Sequence, residues 1–313
     1  MRALIIVNPA ARGLSPDLAG ALEALCRNRF TEVEVRHTTG ADQATALAAG
    51  APAGCVVFAV GGDGTAREVV HGLAGAAASM FIVPAGTANS CYRSFWGETA
   101  WPDALDAALA DPAGHTRHLD LARLAENGKL VLAGASTGFP AQAIHRAESL
   151  TDLTGRARYE RALLDLAATF RPYPGRVTVD GVEVHNGPTM LANAGGSRYR
   201  GGQFEVLPHS VIDDGLLDVC VIGGTHDPAE MLGLARAGRH VTRSGVVYAR
   251  GRRVTFERTD GEPLWFEHDG EVLPAANGAF TLDVLPAAVA MLVGPAADLG
   301  RRSSDNRTFV SKW

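Results

Sequence analysis

The chain has 313 residues, 46% hydrophobic and 20% charged, with 36 glycines, 16 prolines and a formal charge of −5, which is long and apolar enough for two globular domains. A net negative charge without a basic stripe excludes the usual electrostatic footprint of a nucleic-acid binder, and no window approaches the ~20 apolar residues of a membrane-crossing helix. Four scattered cysteines, Cys26, Cys55, Cys91 and Cys220, show no CxxC or metal-ligand spacing, so a reducing, cytoplasmic setting is expected.

In chain order, ALIIV at 3–7 predicts a buried strand. Its five apolar residues are too few for a secretory h-region and end at Asn8-Pro9, so no leader is expected. A helix follows from about Asp17 to Arg29, a strand at 33–35 and a helix from about Asp42. CVVFAV at 55–60 is short, continuous and β-branched, the pattern of a strand buried on both faces of a parallel sheet. Gly61 and Gly62 end it, and a helix is expected over 65–72. FIV at 81–83 and a helix from about Pro102 to Ala110 complete a βαβα alternation. That alternation predicts a doubly wound parallel sheet, whose ligands bind beyond the carboxyl ends of the strands.

Three turns at such ends share one chemistry: VNPAARG (7–13), GGDGT (61–65) and PAGTANS (84–90). Each offers glycines that admit a close ligand, backbone donors and short polar side chains; helix N-termini beside them suit phosphate. Any one alone is ordinary turn chemistry. Three after buried strands describe a nucleotide phosphate crevice. There is no G-x-x-x-x-G-K-[ST], and Arg67 takes the place of the third glycine of G-x-G-x-x-G, so neither a P-loop nor a dinucleotide fingerprint is present. H-E-x-x-H and G-x-S-x-G are also missing, and the ten histidines lack ligand spacing, which removes support for zinc and acyl-transfer chemistry.

After Leu119 short strands and turn signals take over: LDLARLA, KLVLAGA, RVTVDGVEV with a hairpin signal at Asp180-Gly181, TMLANA, LLDVCVI, RVTFE, PLWFE and AFTLDVL. Helical interruptions fall at about 140–170 and 228–242. The expected organisation is a nucleotide-binding α/β domain over 1–120 and a mainly antiparallel β-sandwich domain over 121–289, with the tail at about 290–313 packing back on the first. The arginine groups in TGRARYER (154–161) and GRR (251–253) read as solvated faces.

The ordered set VNPAARG, HTTGADQATALA, GGDGTAREVVHGLAG, IVPAGTANS, STGF, GRARY, SVIDDGLLDV and FEHDGEVL, spread over residues 3 to 293, resembles the diacylglycerol kinase catalytic family. That family includes the bacterial soluble lipid kinases and the sphingosine and ceramide kinases, and shares its fold with NAD kinase and phosphofructokinase. The resemblance implies an ATP- and Mg²⁺-dependent lipid kinase that phosphorylates a lipid hydroxyl in a cleft between the domains. It visits the membrane surface transiently, without a transmembrane segment or a nucleic-acid partner; a homodimer is left open.

Carried over residue by residue, the resemblance puts ATP against Asn8, Pro9, Arg12, Gly13, Thr38, Gly62, Asp63, Gly64, Thr65, Glu68 and Thr87, with Asp63 acting catalytically through Mg²⁺. It places the catalytic base region on Asp269 and Glu271. With Asp-Gly at a turn, Asp269 is the tip and the slightly favoured base; Glu271 orients it or holds metal, and both stay candidates. A structural Mg²⁺ loop is implied at Asp214, with backbone carbonyls of Val211 and Leu216. A plain Asp-Gly turn is the alternative at both places. The chain departs from the family at Arg67, where asparagine is usual, at Ser90, where aspartate is usual, and in lacking a lysine soon after the first loop; its only lysines are Lys129 and Lys312. An NAD kinase-like or other soluble-substrate phosphotransferase is one alternative function; a catalytically silent nucleotide-binding regulator, suggested by Arg67 and Ser90, is the other.

Overall fold

The computed structural model describes residues 1–153 and 155–298. The chain divides into two compact units, one made of Met1–Asp120 with residues 286–298, the other of Leu121–Leu285.

The first unit runs β1 (Arg2–Val7), α1 (Pro16–Arg29), β2 (Glu32–His37), α2 (Gln43–Ala49), β3 (Cys55–Gly61), α3 (Asp63–Leu73), β4 (Ser79–Pro84), α4 (Ser90–Trp96), α5 (Trp101–Ala110) and the single turn α6 (Pro112–His115). Its strands lie in the parallel order β2-β1-β3-β4. All seven residues of β3 are buried, as its unbroken apolar run requires. Register aligns the strand ends: Val7 pairs with His37 and Val60, and Gly61 with Pro84. The carboxyl ends of four strands are therefore level, and the turns leaving them share one edge.

β5 (Thr116–Leu124) leads into the second unit, which contains β6 (Leu130–Val131), β7 (Ala135–Gly138), α7 (Phe139–Glu148), α8 (Gly155–Ala167), β8 (Tyr173–Val179), β9 (Val182–Gly195), β10 (Tyr199–Arg200), β11 (Phe204–Glu205), β12 (Leu217–Gly223), α9 (Pro228–Ala235), β13 (Val246–Gly251), β14 (Arg253–Arg258), β15 (Leu264–His268), β16 (Glu271–Ala275) and the start of β17 (Ala279–Leu292). The pairing is antiparallel: β16-β15-β7-β9-β8-β14, with β12 also on β9 and β13 on β12. Asp180 and Gly181, at φ 49° and 81°, make the β8–β9 turn, and Asp269 and Gly270, at 47° and 86°, the β15–β16 turn; two consecutive positive φ values are what a two-residue hairpin demands. One core lies on the sheet around the stacked rings of Phe256, Phe266 and Phe280. A second forms where the helices meet it, around Phe139, Leu163, Met190, Ile222 and Met231.

The architecture is that expected, an α/β unit on a parallel sheet followed by a mainly antiparallel one. The elements differ in detail. The helical interruption near 140–170 is two helices, α4 was not expected, and the last strand runs on to Leu292, where Ala290 and Met291 pair with Ser79 and Met80 of β4. Residues up to 298 thus return to the first unit; 299–313, which the tail expectation also covered, lie outside the described residues.

Candidate active site

The turns after β1, β3 and β4 are tied to one another. Asn8 donates its backbone N–H to Val60 O at 3.0 Å, accepts from the Ala10 N–H on Oδ1 and donates from Nδ2 to Thr65 Oγ1 at 3.0 Å. Gly13 donates its N–H to Ala85 O at 2.8 Å, and a Cβ there would stand 2.9 Å from that oxygen. A Cβ on Gly86 would stand 2.3 Å from Gly62 Cα. Glycine is therefore required where the β3 and β4 turns touch, backbone against backbone.

Asp63 opens α3, and its carboxylate reaches the next helix: Oδ2 accepts the Ser90 N–H at 3.0 Å and Oδ1 the Cys91 N–H at 2.9 Å. These two N–H groups at the start of α4 have no partner within that helix, and an acidic acceptor suits its positive end. Asn89, at φ 50°, accepts from the Gly86 N–H and donates to Gly86 O, closing the β4 turn on itself. Glu68 behaves likewise toward α2: its Oε2 accepts the Ala44 N–H at 3.2 Å.

Asn8, Pro9, Thr38, Thr65 and Glu68 line one open pocket of about 390 Å³ at the carboxyl edge of the sheet, along with Thr39. Gly62 and Asp63 lie at the adjoining β3 turn. Arg12, Gly64 and Thr87 are on the same three turns, and a Cβ on Gly64 meets nothing within 4 Å. Ser90, where the family more often carries a carboxylate, is buried at the start of α4, while Arg67 is half-buried on α3.

In the second unit, Asp269 sits at the hairpin tip with its carboxylate turned into the protein. Oδ2 accepts the Leu132 N–H at 2.8 Å; Oδ1 accepts those of Ala133 at 2.7 Å and Gly134 at 3.3 Å. It clamps the segment before β7. Glu271 begins the return strand, 3.1 Å from Lys129 Nζ and 3.8 Å from His268 Nε2.

Close to them in sequence stands a residue that the motif reading passed over. Glu267 of β15 lies opposite Ser136 of β7 and is only 5% exposed. Burial pushes its carboxyl up, Asp269 adds to this, and Arg200, Ser136 and the Gly270 N–H oppose it. Ser136 accepts a hydrogen bond from Asn193 Nδ2, and Asn193 Oδ1 accepts from Arg200 Nη2 at 3.2 Å. Ser136, Tyr159 and Arg200 rim an apolar pocket whose wall includes Phe139, Met190 and Met231. A carboxylate inside a strand was the available signal, but alternation alone gives no sign that both faces of this strand are covered.

In the loop SVIDDGLLDV, where magnesium is expected, the Asp214 carboxylate already has protein partners. Asp214 is salt-bridged to Arg250 Nη2 through Oδ2 and accepts the Leu216 N–H through Oδ1 at 3.1 Å. Among the described residues no group of three or more His, Cys, Asp or Glu side chains is arranged to hold a metal ion.

Residues 2–124 match the family model for the diacylglycerol kinase catalytic domain, and residues 133–293 match that for the YegS C-terminal NAD kinase beta sandwich-like domain. The chain belongs to the diacylglycerol kinase family. A diacylglycerol kinase of Mycobacterium tuberculosis is 34% identical over 224 residues, 68% of this chain and 71% of that one. A probable YegS-like lipid kinase of Pseudomonas aeruginosa is 33% identical over 240 residues, 76% of each. The crystal structure of a diacylglycerol kinase from Bacillus anthracis superposes with a TM-score of 0.71 over 94% of this chain and 98% of that one, at 24% identity, which speaks for a shared fold. As a member of the lipid kinase family, the chain is a kinase, and no helix among its described residues is long and apolar enough to cross a membrane.

Proposed function

We propose that this diacylglycerol kinase family member transfers the γ-phosphate of ATP to a free hydroxyl of a lipid such as diacylglycerol, meeting that lipid transiently at the cytoplasmic membrane surface. The observation that carries the reading is the closure of the β3 turn on the β4 turn, Gly62 against Gly86. It builds a backbone edge without intruding side chains beside the pocket of Asn8, Pro9, Thr38, Thr65 and Glu68. Phosphoryl transfer needs positioning and charge neutralisation more than covalent chemistry. Arg12 and Gly13 on the first turn, Gly64 on the second and Thr87 on the third are the further contacts of this proposal. Asp63 would hold the Mg²⁺ of the nucleotide, whose chemistry is to neutralise phosphate charge; a carboxylate oxygen carries two lone pairs, so accepting one N–H does not by itself bar a cation.

On the acceptor side, the second unit has a small apolar pocket of about 50 Å³, room for a short part of an acyl chain, whose burial returns roughly 25 cal/mol per Å². Its rim of Ser136, Tyr159 and Arg200 suits a polar head. Asp269 and Glu271 are the base candidates from the motif. Glu267 joins them, because a buried carboxylate with a raised pKa is better matched to taking a proton near neutrality. Labelled ATP with Mg²⁺ should be tested against diacylglycerol, phosphatidylglycerol, sphingosine and ceramide in mixed micelles, and against NAD in solution. Label in the organic phase with diacylglycerol is the expected result. Label only in the phosphorylated dinucleotide would refute the lipid reading.

A further inference from the structure

The loop entering β12 is where family membership leads one to expect a divalent ion, yet a protein cation already pairs with Asp214. Arg250 of β13 stands directly across from Asp218 of β12 in the sheet register, so its position is set by strand pairing. From there the guanidinium spans two acids: Nη2 is paired with Asp214 Oδ2, and Nε lies 3.5 Å from Asp218 Oδ1. The Asp218 side chain is wholly buried, whereas Asp214 and Arg250 are 23% and 30% exposed. The network thus runs from the interior of the sheet to its surface.

The backbone of the loop joins the network at Asp214. Leu216 donates its N–H to Asp214. Of the three expected magnesium ligands, Asp214 meets the arginine directly; Leu216 joins through its N–H and not through the carbonyl expected to face a metal. A guanidinium presents several N–H donors in a rigid fork and is weakly hydrated. Magnesium needs near-octahedral oxygens and gives up water reluctantly. Beside Arg250 it would set two further positive charges next to the guanidinium already paired with Asp214, at separations where like charges repel strongly in a partly dry site.

We propose that Arg250 is the resident cation of this loop, and that the second unit folds around it without a divalent ion. This goes beyond the kinase reading and does not depend on it. The test is calorimetric melting of the full chain, stripped of nucleotide and metal by chelation, with and without MgCl₂ at constant ionic strength. Wild type and Asp214→Asn are expected to show the same Mg²⁺-induced change in midpoint. Arg250→Met leaves Asp214 and the buried Asp218 without their guanidinium partner. It is expected to melt lower than wild type in the absence of metal and to gain a Mg²⁺-dependent rise on the order of 3–6 °C at tenfold excess over Kd, which Arg250→Met with Asp214→Asn loses. A rise in wild type that Asp214→Asn abolishes overturns the proposal, as does an Arg250→Met protein that melts like wild type without metal. Should Arg250→Met not fold, the comparison of wild type with Asp214→Asn decides alone.

Discussion

Gly86→Ala adds one methyl group at the point where the β3 and β4 turns meet. The new Cβ would lie 2.3 Å from Gly62 Cα and 3.0 Å from Asn89 Oδ1, and since carbon atoms settle near ~3.5 Å, the two backbones must part by about 1.2 Å. Neither side can yield freely. Gly62 adjoins Asp63, whose carboxylate is bonded to Ser90 and Cys91, and Gly86 is bonded twice to Asn89. Overpacking of this kind costs ~1–3 kcal/mol and each hydrogen bond given up about 1 more, so a loss of roughly 2–4 kcal/mol is expected. A displacement near 1 Å in a phosphate-positioning edge also costs on the order of 10²-fold in turnover. Urea unfolding and calorimetric titration with ATP measure the two effects. Gly64→Ala is the control within the same motif: its Cβ has open space, so stability should hold. A Gly86→Ala protein with wild-type stability and ATP affinity would show that the turns do not form the nucleotide edge.

Three other outcomes rest on the same geometry. Asp269→Ala strands the N–H groups of Leu132, Ala133 and Gly134 and should cost ~2–5 kcal/mol in urea unfolding; a loss below about 1 kcal/mol would mean the clamp is not made. Asp63→Asn keeps one acceptor for the α4 N-terminus, so the protein should stay folded while turnover falls by ~10² or more; near-normal turnover would remove Asp63 from the phosphate site. Glu267 holds its proton to higher pH when folded than the ordinary 4.5 of an exposed glutamate. The folded state therefore binds more protons in that window, and stability falls as pH rises from about 4.5 through the folded pKa. Glu267→Gln should flatten that limb in urea midpoints taken from about pH 4 to 8, and an unchanged profile would contradict the buried-acid assignment.

The α/β half was legible because its signals are local. CVVFAV is apolar at every position because β3 is covered on both faces, and the Asp-Gly pairs at 180–181 and 269–270 state their turn type outright. α4 was not legible: SCYRSFW is one short segment whose N-cap, Asn89, makes no side-chain capping bond, and its acceptor, Asp63, comes 27 residues earlier. The same long-range dependence hid the structural tasks of Asp63, Glu68 and Asp269, whose motif positions say carboxylate but not which backbone it meets. Glu267 and Arg250 were hidden for a related reason. Strand register sets Glu267 beside Ser136 and Arg250 beside Asp218, and pairing between distant strands leaves no mark in either stretch of sequence alone.

Transfer of phosphate from ATP to a lipid hydroxyl is followed most directly by phosphorus NMR on a mixed-micelle reaction with diacylglycerol. For each ATP converted to ADP, one phosphomonoester resonance should appear in the lipid extract, and Asp63→Asn should abolish both changes together. ADP and inorganic phosphate accumulating with no phosphorus in the lipid would contradict the proposed transfer.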